Sequence, residues 1–73
     1  MFEFNASFGI KDNLENLMKA KNDVEVVLKS GQTFQGKIKA ISNHSLYLTE
    51  LADRNFYDAL ISLDNIAALI AER

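Results

Sequence analysis

The sequence predicts a mainly β domain in which one α-helix is followed by five antiparallel strands that form a small, strongly bent barrel. Three observations predict this fold. Polar and apolar residues alternate through residues 24–48, which is typical of strands with one buried face. Gly36 lies in the middle of this pattern, where glycine usually marks a bend or a close backbone approach. Two more apolar segments follow, and a short polar turn separates them.

A helix is predicted between the N-terminal segment and the first strand. Asp12 and Glu15 have the spacing of a capping box, in which Asp12 caps the helix. Glu15 and Lys19 are four residues apart and are expected to form an ion pair. The apolar side chains form one stripe, which is too short to hold the helix alone and must therefore lie on the sheet. The stripe consists of Ile10, Leu14, Leu17 and Met18.

Three strands are predicted to follow as an antiparallel meander. The first ends at a turn formed by Ser30 and Gly31, because glycine adopts positive φ without a steric penalty. The second ends at the polar turn 42–45, and the third is the short segment 46–48. The apolar face of the first strand consists of Val24, Val26 and Leu28, and that of the second of Phe34, Gly36, Ile38 and Ala40.

Two further strands complete the predicted sheet. The fourth is Phe56–Leu63, in which Tyr57 is expected to pack. Asp64 and Asn65 make a tight turn into the fifth strand, Ile66–Ile70, which contains no polar residue. An exposed apolar edge pairs with other chains. We therefore expect this edge to pair with the fourth strand of another copy, a head-to-tail contact that can close into a ring.

Composition limits the domain organisation. The chain has 73 residues, enough for one domain, and 48% of them are hydrophobic. Residues 10–73 are predicted to form this domain, and residues 1–9 an N-terminal extension. Phe2 and Phe4 of the extension alternate like a short strand, but the segment could equally pack on a neighbour. Because cysteine is absent, neither disulfides nor a cysteine-ligated zinc site can reinforce the core, so oligomerisation is expected instead.

Several functional classes find no support in the sequence. No signal-peptide pattern and no apolar run of membrane-spanning length is present, which predicts a cytoplasmic protein with no membrane partner. The formal charge of −2 supplies no basic excess for nucleic acid. No nucleophile motif, phosphate-binding glycine loop or cluster of metal ligands is visible, and the single histidine has no catalytic partner. The sequence therefore predicts no enzyme, no cofactor and no metal.

The order of these elements resembles the Sm-like proteins, the family of the LSm and bacterial Hfq proteins. The pattern V-x-V-x-L-x-x-G-x-x-x-x-G-x-I contains Gly31 and Gly36, which match the two glycines of the first Sm motif. The segment D-N-I-x-x-L, which begins at Asp64, matches the end of the second motif. The resemblance extends from about residue 10 to residue 70. It implies an SH3-like small barrel capped by the helix. It also implies homo-oligomeric rings of about five to seven subunits, joined through the fourth and fifth strands, that bind single-stranded RNA near the pore.

The departures from the family pattern fall on the RNA site. Ser42 stands where the family usually has aspartate, Ser45–Leu46 replaces Met-Asn, and Ser62–Leu63 replaces Arg-Gly. His44 stands where relatives place a ring that stacks on a base, and such stacking contributes roughly 1–3 kcal/mol per base. The residues that would hold uridine in register are therefore replaced, while the stacking position is retained.

Three candidate RNA-binding residues follow from these positions: Asn43, His44 and Asn65. Each also has an ordinary structural explanation, because asparagine shapes turns and a loop histidine is often simply solvated. Three hypotheses remain open, namely an RNA-binding ring, a ring that acts as a structural or protein-interaction scaffold, and a monomeric SH3-type barrel that binds peptides. The last lacks the tryptophan typical of a peptide groove. We favour the first by analogy with the family.

Overall fold

The computed structural model describes residues 2–73, and Met1, the first residue of the predicted extension, lies outside the described residues. One helix precedes five strands, as predicted. The elements are α1 (Ile10–Lys19), β1 (Asp23–Leu28), β2 (Thr33–Ile41), β3 (Ser45–Thr49), β4 (Ala59–Ser62), a 3₁₀ turn (Leu63–Asn65) and β5 (Ile66–Ile70). Within the described range, no helix is long and apolar enough to cross a membrane.

The five strands form one antiparallel sheet in the order β4-β3-β2-β1-β5. The long central strand β2 pairs with β1 along its first half and with β3 along its second half. Because the two halves of β2 pair with different strands, the sheet bends around it. β4 pairs only with β3, and β5 pairs only with β1, so both are edges of the sheet. The predicted helix and bent five-stranded sheet are confirmed.

The hydrophobic core lies between the helix and the concave side of the sheet. The side chains that are less than 2% exposed come from α1, β1 and β3, and they are Leu14, Leu17, Val24, Val26, Leu46 and Leu48. Ile10 and Leu28 pack at the margin of this cluster. The predicted helical stripe and the alternating strand faces therefore meet each other, which is how a short amphipathic helix becomes stable.

Two glycines have the roles that the sequence predicts. Gly31 has φ +92° in the turn between β1 and β2, a conformation that other residues rarely adopt. At Gly36, a Cβ atom would lie 2.6 Å from the backbone oxygen of Thr49 and 3.1 Å from a methyl carbon of Leu51. The strands approach so closely here that no side chain fits, which confirms the expected close approach.

The predicted apolar face of β2 is wrong at its last position. Ile38 pairs with Leu48 and Ala40 pairs with Tyr47, so one extra residue on β2 forms a bulge between them. A one-residue insertion exchanges the two faces of a strand. As a result Ala40 is exposed, and Ile41 packs against the core in its place.

The start of the helix also differs from the prediction. Gly9 is the N-cap, and no side chain caps the helix, so the capping box of Asp12 and Glu15 is absent. Asp12 instead lies in the first turn, where its charge is favourable next to the helix N-terminus. Glu15 forms an ion pair with Lys11, at 3.9 Å, rather than the predicted pair with Lys19.

A buried asparagine organises the chain before the helix. Asn13 is 7% exposed, and its Nδ2 group donates hydrogen bonds to the backbone oxygens of Asn5, Phe8 and Gly9. Its Oδ1 atom accepts a hydrogen bond from the backbone N–H of Asn5 at 2.9 Å. One side chain thus satisfies four backbone groups, so the N-terminal segment has a defined conformation.

The N-terminal phenylalanines do not form the short strand that their alternation suggests. Phe2 is 7% exposed and belongs to the hydrophobic core, while the ring of Phe4 packs on it edge to face with 5.2 Å between centroids. The residues just before the helix are therefore attached to the domain at both ends, by Phe2 at one end and by Asn13 at the other.

The fourth strand is shorter than predicted. It begins at Ala59 rather than Phe56, because Phe56 has φ +71°, which interrupts an extended strand. Phe56 is fully exposed, and Tyr57 is 64% exposed, so the expectation that Tyr57 packs within its own domain is wrong. The turn at Asp64 and Asn65 is confirmed as part of the 3₁₀ turn.

The contact at Gly36 generates a test of the fold. Replacing Gly36 with alanine forces β2 away from Thr49, so we expect the free energy of unfolding to fall by about 1–3 kcal/mol. Denaturant unfolding at a fixed protein concentration measures the change. Gly9→Ala is the matched control, because a Cβ atom there meets nothing within 4 Å, and its effect should stay below about 1 kcal/mol. Equal stability of the two variants would contradict the close approach.

Candidate functional site

The turn between β2 and β3 carries two of the three candidate residues, and a serine shapes it. The hydroxyl oxygen of Ser42 accepts hydrogen bonds from the backbone N–H groups of His44, at 3.3 Å, and Ser45, at 3.0 Å. The backbone N–H of Ser42 donates to the oxygen of Ser45. Serine and aspartate form the same kind of side-chain turn. Ser42 can therefore hold this turn in the way that an aspartate, the residue of the Sm pattern at this position, would hold it.

His44 is exposed on this turn, and its backbone is held in place. Its carbonyl oxygen accepts a hydrogen bond from the N–H of Leu63 at 2.9 Å, which joins the turn to the 3₁₀ segment before β5. The imidazole therefore stands on a fixed backbone while remaining open to solvent. This arrangement suits stacking on a flat ligand such as a nucleobase.

Asn43 is exposed beside His44, and a lysine from the helix reaches it. Lys11 Nζ donates a hydrogen bond to Asn43 Oδ1 at 3.1 Å, although the two residues are 32 positions apart in the chain. Sequence reasoning missed Lys11, because no local pattern links the first turn of α1 with the β2–β3 turn. The contact brings a lysine ammonium group next to the Asn43 side chain of this turn.

Asn65 lies at the end of the 3₁₀ turn, two residues after the Leu63 N–H that binds His44. Its side chain is exposed, and its carbonyl oxygen accepts a hydrogen bond from the N–H of Lys29 at 2.8 Å. The structure thus brings the 3₁₀ turn next to both the β2–β3 turn and the β1–β2 turn. Backbone hydrogen bonds hold His44 and Asn65 at this end of the domain, and Asn43 directly precedes His44.

The lysines on the outer face of the first hairpin are largely engaged with other side chains. Lys37 Nζ lies 3.0 Å from Asp23 Oδ1, and this hydrogen bond together with the carboxylate charge raises the pKa of Lys37. Lys39 Nζ lies 5.3 Å from the ring centre of Tyr47. The Tyr47 hydroxyl donates a 2.7 Å hydrogen bond to Asp58, which raises the pKa of Tyr47. These contacts favour a solvated polar face over a phosphate-binding surface.

The two sheet edges form the other notable surface. Six large apolar side chains are exposed in residues 2–73, and all of them belong to β4, β5 or the segments beside these strands. They are Phe4, Phe8, Phe56, Tyr57, Leu60 and Ile70. Within the same residues, no group of three or more histidine, cysteine, aspartate or glutamate side chains is placed to hold a metal ion.

Comparison with known proteins identifies the fold. The structure matches a crystal structure of the pleiotropic translational regulator Hfq with a TM-score of 0.72, covering 96% of this chain and 100% of that chain. The two sequences are 18% identical, so the likeness shows a shared fold. The predicted Sm-like fold is thereby confirmed. No protein-family model and no curated protein matches the chain.

Proposed function

We propose that this protein is a homo-oligomeric, Sm-like ring in the cytoplasm that binds single-stranded RNA near its pore. Subunits join head to tail, the β4 edge of one against the β5 edge of the next, and about five to seven subunits close the ring. Asn43, His44 and Asn65 contact the RNA, and Lys11 assists them. The observation that carries this proposal is the pair of unpaired, apolar strand edges.

The exposed edges support assembly for two reasons. Each edge leaves a row of backbone N–H and C=O groups without a strand partner, and native proteins do not leave such edges apolar and open. Leu60 on β4 is 76% exposed and Ile70 on β5 is 52% exposed, although both lie in strands. Since the two edges are different surfaces, a contact between them is heterologous and repeats until the rotation closes.

The RNA part of the proposal is supported by the site geometry and by the fold. His44 offers an exposed ring on a fixed turn, with the Asn43 amide and a lysine beside it. In a ring, this weak site recurs once per subunit, and linked sites bind a long strand far more tightly than one site does. The structural relative Hfq is described as a translational regulator, and translation acts on RNA.

A second candidate function is a ring that serves as a structural or protein-interaction scaffold. The formal charge of −2 per subunit and the engagement of Lys37 by Asp23 favour this alternative. Ser62 and Leu63 replace the arginine and glycine of the Sm pattern. The two functions share the same ring and differ in whether the His44 turn binds a nucleotide.

Assembly is tested at Leu60. Leu60→Glu places a charge in the proposed β4–β5 contact and removes a leucine worth about 1.5–3 kcal/mol when buried. We therefore expect subunit association to weaken about tenfold to a hundredfold, measured by sedimentation over a dilution series. Leu60 is already exposed in one subunit, so circular dichroism should show an unchanged fold. Gln35→Glu, an exposed site on the central strand β2, is the control for added charge. A monomeric wild-type protein, or an unaffected Leu60→Glu oligomer, would refute edge pairing.

RNA binding is tested at His44. Oligo-U and oligo-A at low ionic strength are suitable probes, with affinity measured by fluorescence anisotropy. His44→Ala removes the stacking ring and should weaken binding roughly tenfold or more, while His44→Phe keeps a ring and should retain binding. Equal loss in both variants would argue against stacking. An assembled ring that binds neither oligonucleotide supports the scaffold function instead.

A further inference from the structure

The N-terminal segment and β5 enclose an open apolar groove of about 310 Å³. Phe4, Phe8, Ile10 and Leu69 supply its apolar walls. We infer that this groove is a socket for Tyr57 of a second copy of the chain, so that the N-terminal segment is part of the subunit interface. The inference rests on the proposed head-to-tail ring and assigns it a specific contact beyond the strand pairing.

The groove is preformed because the segment that builds it is anchored. Phe2 lies in the core, and the four hydrogen bonds of Asn13 hold the backbone of Asn5, Phe8 and Gly9. The aromatic rings of Phe4 and Phe8 nevertheless remain 43% and 44% exposed. A rigid segment that presents apolar rings to solvent binds with little loss of conformational entropy.

The distribution of exposed apolar side chains argues that the occupant is another copy of the same chain. Of the six in residues 2–73, three flank β5 and three flank β4. The β5 group is Phe4, Phe8 and Ile70, and the β4 group is Phe56, Tyr57 and Leu60. A head-to-tail contact between β4 and β5 brings one group against the other in every subunit, which leaves neither group unmatched.

The alternation of side chains in β4, extended to the two residues before it, favours Tyr57 as the occupant. Leu46 and Leu48 are buried, so Tyr47 between them points outward, and its hydroxyl reaches Asp58 on the same outer face. Successive side chains of extended backbone point to opposite faces. In the proposed contact Tyr57, one residue before Asp58, takes the core-facing side, whereas Leu60 shares the outer face with Asp58.

The proposed socket also sets the register of the contact. On β5, Leu69 pairs with the buried Val26 and so faces the core side, where the groove lies. The proposed contact is antiparallel and sets Ala59 of one copy opposite Leu69 of the next, which keeps the core-facing sides of the two subunits continuous. Tyr57 is then a diagonal neighbour of Leu69, about 7–8 Å away, a distance that an aromatic side chain spans. On the outer face, Leu60 is then a diagonal neighbour of Ile70.

Cross-linking tests the socket directly, because the natural chain has no cysteine. The variant Phe8→Cys with Tyr57→Cys, treated with a short bismaleimide, should yield a ladder of covalent dimers, trimers and larger species up to the ring size. Each single-cysteine variant can give dimers at most. The matched control pairs Phe8→Cys with Gln32→Cys, which lies in the exposed β1–β2 turn, and should give no ladder.

A second measurement does not depend on the cross-linker. Phe8→Ser removes the exposed part of the Phe8 ring, which Tyr57 of the next copy is proposed to cover. It should therefore raise the concentration at which the ring dissociates about tenfold or more. Glu3→Ser, an exposed position of the same segment, should leave it unchanged. If the wild-type protein assembles but neither the ladder nor the Phe8→Ser effect appears, the socket is wrong and the ring stands. A monomeric wild-type protein overturns both proposals.

Discussion

The open edges of β4 and β5 are the constraint on which the rest of this structure depends. With 73 residues, the chain has a small core, and the two edges carry apolar side chains that the core does not cover. A closed barrel would satisfy these edges within one subunit, but here β4 and β5 are at opposite ends of the strand order. The assembly proposed above would pair these edges with a second molecule. Because the strand order leaves β4 and β5 as two different edges, the proposed contact is head to tail.

Sequence patterns predicted the elements of the fold well, because the core follows simple periodicities. The helical stripe through Leu14 and Leu17 and the strand positions Val24 and Val26 are all buried. Errors arose where one residue changes the geometry. The bulge before Ala40 exchanges the faces of β2, and the positive φ of Phe56 shortens β4. Neither is visible in an apolar pattern, since both result from how neighbouring segments fit together.

The sequence predicted only part of the candidate site. His44 was proposed from the resemblance to the Sm-like pattern, but the contact between Lys11 and Asn43 joins residues from different elements. The role of Asn13 was missed for a related reason. A polar residue next to an apolar stripe resembles a surface position, and only the structure shows that its amide binds the preceding backbone. Hydrogen bonds between distant segments leave no periodic signal.

The charge of the chain limits which interactions can bind RNA in the proposed ring. A subunit with a formal charge of −2 gains little from counterion release, and Lys37 is occupied by Asp23. The proposed RNA binding therefore rests on short-range contacts, namely stacking on His44 and hydrogen bonds from Asn43 and Lys11. Such contacts are weak singly, so the proposal requires their repetition around the proposed ring. The proposed RNA site thus depends on the proposed edge pairing, because one subunit alone offers only a single weak site.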